Sequence, residues 1–338
     1  MLKMKKILII RFSSFGDIVQ SMTAAVVLKQ LYPQAEIHWL TKKNFSPLVG
    51  LLPQVSSIIG LDGHQGIKGL LKLGLSLRHE KYDLIYDAHN NLRSAVLRLM
   101  LGGIFIARSY QKLLVRPKYR WKRFLLFKFK INKFPWPFKG MQSYVDPLQV
   151  LTDKEQMAMP ARFNFPIELE NKFKNSLPQE FITLCPSAAW EMKRWPLEHW
   201  KELVKLLHRY HVVLLGGPED TFLQQIRQLY PERITNLAGL CDLVESSYVI
   251  SRSSLVISAD TGLIHVADLL GVKGLSLIGP TAFGFCSFAN IKTLEVDLSC
   301  RPCSKDGSGR CSRQIYQECM TSISPHHVLQ EAERALIP

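Results

Sequence analysis

Short apolar runs alternate with longer stretches of helical periodicity along both halves of the chain. In the first half, the apolar runs predict strands at 6–11, 36–41, 56–61, 83–88 and 104–108. The stretches between them predict helices at 17–31, 43–52, 66–80 and 91–101. Strands that alternate with helices in this way indicate a parallel sheet that is covered on both faces.

The second half repeats this alternation. Strands are predicted within 181–188, 211–217, 254–262 and 273–279, and helices at 196–210, 263–271 and 325–336. A chain of 338 residues with 47% hydrophobic content can form two domains. We therefore predict two α/β halves of similar size, joined near residues 140–175.

The stretch 108–139 departs from this pattern. It holds eleven Lys/Arg, nine aromatic residues and no acid, and it contributes strongly to the formal net charge of +15. Such a charge predicts an anionic partner. Basic and aromatic side chains together suit an anionic membrane interface or a phosphorylated glycolipid, single-stranded nucleic acid, or a structural or oligomer contact. Composition leaves these three interpretations open.

The remaining bulk properties indicate an intracellular protein. The apolar run directly before Arg11 is only four residues long, too short for the core of a signal peptide, and no apolar stretch is long enough to span a bilayer. We therefore expect a cytoplasmic protein. Seven cysteines, an odd number, argue against a disulfide framework. Four of them have the spacing either of a structural zinc or iron site or of a set of reduced thiols: Cys300, Cys303, Cys311 and Cys319.

Four segments with chemical potential follow predicted strands, where open α/β sheets bind their ligands. The first contains Ser13, Ser14, Gly16 and Asp17, directly after the first strand. An acid in the first turn of a helix stabilises the helix N-terminus. The same carboxylate can also accept a proton from a hydroxyl as a general base.

The next two segments carry charge between a strand and a helix. Lys193 lies in the loop 186–196, where a cation can hold a diphosphate. Glu219 lies in "GGPED" and can accept hydrogen bonds from ribose hydroxyls. The chain has no GxGxxG after its first strand and no GxxxxGK[ST], which disfavours a dinucleotide site and excludes a P-loop.

The fourth segment, "SADTGLIHVAD", is the most informative. Asp260, Thr261 and Gly262 end a predicted strand, and the following helix start offers free N–H groups to an anion. His265 falls in the first turn of that helix and can reach the same anion. Asp260 can bind sugar hydroxyls.

Taken together, these segments resemble glycosyltransferase family 9, the lipopolysaccharide heptosyltransferases, over nearly the whole chain. The resemblance rests on "IIRFSSFGDIVQ", "MKRWPLEHW", "DTGLIH" and "IGPT", which occur in the family's order and spacing. It implies a GT-B fold with two Rossmann-like domains facing each other across a cleft. Residues 1–165 would bind the acceptor and include the stretch 108–139, and residues 166–338 would bind the nucleotide sugar.

The resemblance also implies a reaction and roles for these residues. An inverting enzyme would move L-glycero-D-manno-heptose from ADP-heptose to the lipopolysaccharide inner core, with Asp17 as general base. Lys193 and the helix start at Thr261–Gly262 would stabilise the departing ADP. Asp260 and His265 would hold the heptose and its phosphates, and Glu219 would contact the ribose. Ser13, Ser14 and Gly16 would also bind substrate. No catalytic metal or cofactor is expected.

The implied acceptor is a lipid A–Kdo type glycolipid at the cytoplasmic face of the inner membrane, with no nucleic-acid partner. One departure is Ala188-Ala189, where the family often has Thr or Ser, which weakens the diphosphate contact there. The alternatives are a protein or other glycan acceptor, or another activated sugar. An epimerase of similar fold would leave 108–139 without a role. A nucleic-acid-binding protein would leave Asp17 and "DTGLIH" without one.

Overall fold

The computed structural model describes residues 4–62, 66–102 and 112–337. The chain divides into two compact units, the first formed by Met1–Tyr119 with Met141–Asn164 and the second by Arg120–Gly140 with Phe165–Pro338. The sequence had suggested one change of domain near residue 165. Instead, Arg120–Gly140 belongs to the second unit, so the basic and aromatic stretch does not lie wholly in the first.

The described chain forms strands and helices in alternation. The strands are β1 (Lys6–Ile10), β2 (Glu36–Lys42), β3 (Ser57–Leu61), β4 (Leu84–Asp87), β5 (Lys112–Val115), β6 (Ile182–Cys185), β7 (Val212–Leu214), β8 (Ile234–Asn236), β9 (Leu255–Ala259), β10 (Gly274–Leu277) and β11 (Ile291–Leu294). The helices are α1 (Phe15–Leu31), α2 (Ser46–Gly50), α3 (Gly66–Arg78), α4 (Leu92–Leu101), α5 (Arg120–Phe129), α6 (Gln142–Val145), α7 (Ile167–Phe173), α8 (Leu197–Leu206), α9 (Leu223–Arg227), α10 (Leu243–Arg252), α11 (Gly262–Leu270), α12 (Glu318–Thr321) and α13 (Pro325–Leu336).

The first unit contains a five-stranded parallel sheet of order β3-β2-β1-β4-β5. Strand β1 is central, and its residues Ile7–Ile10 are fully buried, which is why it reads as a continuous apolar run. The chain reverses its direction of winding between β1 and β4. Ligands of open parallel sheets bind outside the carboxyl ends of strands at such a reversal.

The second unit contains a six-stranded parallel sheet of order β11-β10-β9-β6-β7-β8. Numbered from β6, this is the order 3-2-1-4-5-6 of a doubly wound dinucleotide-type fold. Its reversal lies between β6 and β9. The loops after these strands carry Lys193 and Asp260, so the topology brings both side chains to one edge.

The predicted α/β architecture with parallel sheets is confirmed, with local differences. Four of the first-half strands are found as predicted, whereas the predicted strand 104–108 lies outside the described residues. The fifth strand of that sheet is Lys112–Val115, inside the basic stretch. The predicted helix 43–52 is instead a short 3-10 turn, Lys43–Phe45, followed by α2.

Aromatic packing explains why Arg120–Gly140 belongs to the second unit. The ring of Phe283 lies 4.9–6.1 Å, centroid to centroid, from three rings of that segment: Phe127, Phe134 and Phe138. The Arg123 guanidinium lies 4.5 Å from the centre of the Phe283 ring. Part of the aromatic content of 108–139 is therefore internal packing. None of the described helices is both long enough and apolar enough to cross a membrane.

Candidate functional site

Asp17 lies in the first turn of α1, one short loop after the central strand β1. Ser14 is the N-cap residue of this helix, and its hydroxyl donates a hydrogen bond of 2.8 Å to Asp17 Oδ2. The Ser14 backbone N–H lies 3.4 Å from the same oxygen. Gly16 lies between them within the helix, and Ser13 is half-buried. Asp17 therefore stabilises the helix start, as an acid there should.

Two further groups of the first unit hold the Asp17 carboxylate. Arg11 Nη2 lies 2.6 Å from Oδ2, and the Tyr144 hydroxyl donates to Oδ1 at 2.9 Å. The Arg116 guanidinium stacks 3.9 Å from the centre of the Tyr144 ring, which fixes the phenol in place. The Asp17 side chain is nevertheless 42% exposed, so part of it remains accessible from solvent.

These contacts keep Asp17 ionised. Burial alone would raise its pKa, but the charge of Arg11 and the hydrogen bonds from Ser14 and Tyr144 outweigh burial and lower the pKa to about 2. The carboxylate thus carries its negative charge at every physiological pH. It is always able to accept a proton, although its intrinsic basicity is low.

A histidine lies at the same edge of the first sheet, after β4. The buried Asp87 carboxylate accepts hydrogen bonds from the backbone N–H groups of His89 and Asn90, at 3.0 and 2.7 Å, and so shapes this loop. Burial and the charges of Arg11 and Lys118 lower the pKa of His89 to about 4. The imidazole is therefore neutral at pH 7, so one ring nitrogen can donate a hydrogen bond and the other can accept one.

The second unit places Lys193 against Asp260. Lys193 ends a 3-10 turn after β6, and its Nζ lies 3.0 Å from Asp260 Oδ2. The Thr281 hydroxyl donates to the same oxygen at 2.7 Å. Burial would raise the pKa of Asp260, but the charges of Lys193 and His265 and the Thr281 hydrogen bond lower it. The Asp260 side chain is only 7% exposed, so its main partner is Lys193 rather than solvent.

Two backbone segments pack closely against the Lys193–Asp260 ion pair. A Cβ on Gly284 would lie 2.2 Å from Asp260 Oδ2. Gly307, with φ +92°, comes from the loop that carries Cys303 and Cys311, and a Cβ there would lie 2.4 Å from Lys193 Cγ. Only glycine allows these close approaches. The position of Lys193 is therefore set by packing as well as by charge.

The N-terminus of α11 lies beside the ion pair. Thr261 is the N-cap residue, and Gly262 is the first residue of the helix. The Thr261 hydroxyl accepts a hydrogen bond of 3.3 Å from the Leu263 N–H. His265 is 4% exposed, and its Nδ1 lies 4.0 Å from Cys286 Sγ. An anion at this helix start would meet free N–H groups and the positive end of the helix dipole.

Glu219 stands apart from these buried groups. It is exposed after β7, while the neighbouring Asp220 accepts the Gly217 N–H at 2.6 Å and closes the turn. Ala188, one of the two alanines that depart from the family pattern, is buried, and its carbonyl accepts a hydrogen bond of 2.9 Å from Arg194 Nε.

The cysteine-rich loop and a second cluster bear on metal binding. All seven cysteines lie within the described ranges and are free thiols. In the part of the chain that the structure describes, three metal-capable side chains gather within 4.8 Å only at His265, Asp268 and Cys286. Asp268 already accepts the N–H groups of Ser287 and Phe288 at 2.6 and 3.0 Å. Burial raises the pKa of Cys319 to about 11 and also that of Cys303.

Comparison with known proteins identifies the family. The family model "Glycosyltransferase family 9 (heptosyltransferase)" matches residues 70–316. The chain belongs to this family. It is 26% identical over 360 residues to lipopolysaccharide heptosyltransferase 2 of Escherichia coli, covering 98% of this chain and 99% of that one. It is 28% identical to the Salmonella typhimurium protein of the same name, covering 98% of each chain.

Solved structures agree with this assignment. The structure of E. coli ADP-heptose lps heptosyltransferase II matches with a TM-score of 0.74 and 25% identity, over 98% of each chain. A glycosyltransferase family 9 crystal structure from Veillonella parvula matches with a TM-score of 0.76 and 20% identity, over 99% of this chain and 98% of that one. The GT-B fold class is thereby confirmed, and the protein is a glycosyltransferase.

Several polar residues of the candidate site were missed from sequence. Arg11 directly follows β1 and His89 lies two residues after β4, so the rule that ligands bind at strand ends could have found both. Tyr144 lies 127 residues after Asp17, and neither it nor Arg116 belongs to a recognisable motif. Only the fold shows that the Tyr144 hydroxyl contacts Asp17 and that the Arg116 guanidinium stacks on the Tyr144 ring.

Proposed function

We propose that this glycosyltransferase moves L-glycero-D-manno-heptose from ADP-heptose to the lipopolysaccharide inner core, with inversion at the anomeric carbon. The observation that supports it best is the Asp17 carboxylate, ionised and partly exposed at the winding reversal of the first sheet. The similarity to a lipopolysaccharide heptosyltransferase 2 and to an ADP-heptose lps heptosyltransferase II favours the same donor and acceptor.

In the proposed reaction, Asp17 is the general base. The acceptor oxygen attacks the anomeric carbon, the bond from that carbon to the phosphate oxygen breaks, and ADP leaves with the electron pair. As the new bond forms, the attacking hydroxyl gains positive charge and becomes strongly acidic. A carboxylate with a pKa of about 2 can accept its proton at that late stage. Arg11 and Tyr144 orient the carboxylate so that its exposed edge faces the hydroxyl.

Lys193 supplies positive charge to the departing ADP in this proposal, together with the N–H groups at Thr261–Gly262. Preorganised donors of this kind can contribute several kcal/mol to a transition state, about 10²–10³ in rate for one donor. Asp260, which we first expected to bind sugar hydroxyls, holds Lys193 Nζ at 3.0 Å. We therefore assign Asp260 a positioning role. His265 remains the proposed phosphate or heptose contact, and Glu219 the ribose contact.

The acceptor is proposed to be a phosphorylated lipid-linked sugar at the inner face of the inner membrane, where the enzyme would bind peripherally. The exposed face of α5 supports an anionic partner of this kind. Trp121, Phe124 and Phe129 are 68%, 48% and 56% exposed there, and the helix contains four basic residues and no acid. A nucleic acid would also suit this surface, but it would leave Asp17 and Lys193 without a role.

The test is transfer from ADP-heptose to purified lipid A–Kdo acceptors of increasing length, with wild type beside Asp17→Asn. Transfer by wild type with an inverted product, and near-complete loss in the variant, would support the reaction and the base together. Tight ADP-heptose binding without transfer to any of these glycolipids would favour a protein or other glycan acceptor. Absence of ADP-heptose binding would contradict the proposed donor.

A further inference from the structure

The outer face of α3 exposes a line of large aliphatic side chains. Ile67, Leu71 and Leu75 are spaced one helical turn apart and are 73%, 41% and 57% exposed. Leu70 and Leu77, on the adjoining face, are buried in the core of the first unit. The apolar side chains of α3 thus cover a wider part of the helix surface than the part that packs into the core of the first unit.

The neighbouring helix α4 extends the same surface. Leu92 and Leu99 are 82% and 60% exposed, while Leu97 on the opposite side is buried. The two helices approach closely, because a Cβ on Gly74 of α3 would lie 2.6 Å from Met100 Sδ of α4. Leu75 and Leu99 are each adjacent in sequence to this contact. The exposed large aliphatic side chains of these two packed helices are together called the α3–α4 face: Ile67, Leu71, Leu75, Leu92 and Leu99.

Positive charge borders the α3–α4 face. Lys68, Lys72, Arg78 and Arg93 are all exposed on these two helices. Neither helix contains an Asp or Glu. The fifth basic residue of these two helices, Arg98, forms an internal ion pair, since its Nε lies 3.2 Å from the buried Asp87 carboxylate.

We propose that the α3–α4 face inserts into the headgroup region of an anionic phospholipid bilayer. Its aliphatic side chains would enter the acyl boundary, and the four bordering cations would contact lipid phosphates. An amphipathic helix with an apolar stripe and basic flanks binds bilayers in this way. A soluble monomer rarely leaves this many large aliphatic side chains exposed on one surface without a partner for them.

Charge argues for lipid rather than for a second copy of this chain. A symmetric dimer through the α3–α4 face would bring the four cations of one protomer toward the same four of the other. Like charges brought together at an interface are unfavourable. An anionic bilayer instead complements both the apolar and the basic part of the surface.

The proposal deepens the proposed function, because a lipid-linked acceptor requires the enzyme to work at a bilayer. The α3–α4 face uses other residues than the contact proposed for α5, and a different ligand tests it. The α3–α4 face is tested with vesicles that contain no glycolipid acceptor. A failure of the proposed transfer reaction would therefore leave vesicle binding unaffected, and the reverse also holds.

The experiment measures binding of the full-length protein to vesicles of phosphatidylethanolamine and phosphatidylglycerol by flotation and by titration. In the test variant, Ile67→Gln, Leu71→Gln and Leu75→Gln are combined. Glutamine is a good helix former, so α3 should be kept, which circular dichroism and thermal unfolding will check. We expect vesicle affinity to fall at least tenfold, while transfer to a soluble, short-chain acceptor stays within twofold of wild type.

A matched control and a charge variant complete the design. The control combines three aliphatic positions elsewhere that are 72%, 64% and 68% exposed, Val150→Gln, Ile167→Gln and Leu240→Gln, and should bind vesicles as wild type does. Lys68→Gln with Lys72→Gln should lower affinity about fivefold per cation and weaken its salt dependence.

Equal vesicle binding by wild type and the α3 variant, with both folded, would overturn the proposal. So would a wild-type dimer that the α3 variant converts to monomer while vesicle binding is unchanged, since the face would then serve self-association. An equal loss of binding in the control would also overturn it, because the effect would not be specific to this face.

Discussion

The ion pair between Arg11 and Asp17 controls the ionisation of the proposed base, so removing it should change the pH dependence of transfer. Arg11 Nη2 lies 2.6 Å from Asp17 Oδ2, and Arg11 Nη1 donates to the Ala88 carbonyl at 2.9 Å. Arg11→Gln removes the charge and keeps a donor near that carbonyl. Adding Tyr144→Phe removes the 2.9 Å hydrogen bond to Oδ1 without changing the shape of the ring.

The size of the change can be worked from these two contacts. Each is a hydrogen bond to a charged group, worth roughly 1.5–3 kcal/mol. Solvent at the exposed edge of Asp17 screens the longer-range attraction, so we add nothing for it. At about 1.4 kcal/mol per pKa unit, each loss raises the pKa of Asp17 by about 1–2 units. From about 2 in the wild type, the double variant should reach about 4–6.

The assay is the pH profile of kcat/KM for ADP-heptose between about pH 3.5 and 8, which covers the whole expected pKa range of the double variant. A base with a raised pKa becomes protonated as pH falls, so the double variant should lose activity through about pH 5, where Asp17 of the wild type stays ionised. Arg11→Lys keeps the charge and should retain the wild-type profile. An active double variant with no acidic limb would refute the account of Asp17, because its ionisation would then not depend on these contacts.

Three further outcomes are expected. Gly307→Ala should lower kcat about 10–100-fold, since its Cβ would lie 2.4 Å from Lys193 Cγ, whereas Gly309→Ala, at φ +101° with open space around it, should affect stability alone. Burial raises the pKa of Asp268 to about 6. Its contribution to the free energy of unfolding is therefore present at pH 4 and lost as pH rises through 6, and urea titrations of Asp268→Asn should lack this loss. Glu219→Gln should raise KM for the donor a few-fold and leave kcat unchanged, because this exposed residue is proposed to contact only the ribose.

The sequence predicted the strands whose burial makes them continuous apolar runs. It missed three: Lys112–Val115, Ile234–Asn236 and Ile291–Leu294. Each is only three or four residues long and lies at the edge of its sheet. Edge strands have fewer buried neighbours, so they tolerate Lys, Thr and Asn and lose the apolar pattern that identifies a central strand. The fold class could be predicted because the central strands specify it.

Some residues of the candidate site could likewise be predicted from the sequence, whereas their contacts could not. The strand-end rule and the motifs found Asp17, Lys193 and Asp260, because each lies in the loop or first helical turn that follows a strand. The rule could not show that Lys193 and Asp260 form an ion pair, since they come from different loops and meet only when β6 and β9 pair. Tyr144 was missed for the same reason, because its contact with Asp17 joins distant segments.

In the proposed mechanism, Asp17 acts in the chemical step and Lys193 in holding and releasing ADP. The most direct measurement compares kcat with the Kd for ADP-heptose in Asp17→Asn and Lys193→Gln, by single-turnover kinetics and calorimetry. We predict that Asp17→Asn lowers kcat at least 10³-fold with the donor Kd within twofold of wild type. Lys193→Gln should lower kcat and also raise the Kd for the donor. An Asp17→Asn enzyme that keeps its rate, or that loses rate only because it no longer binds the donor, would contradict the account.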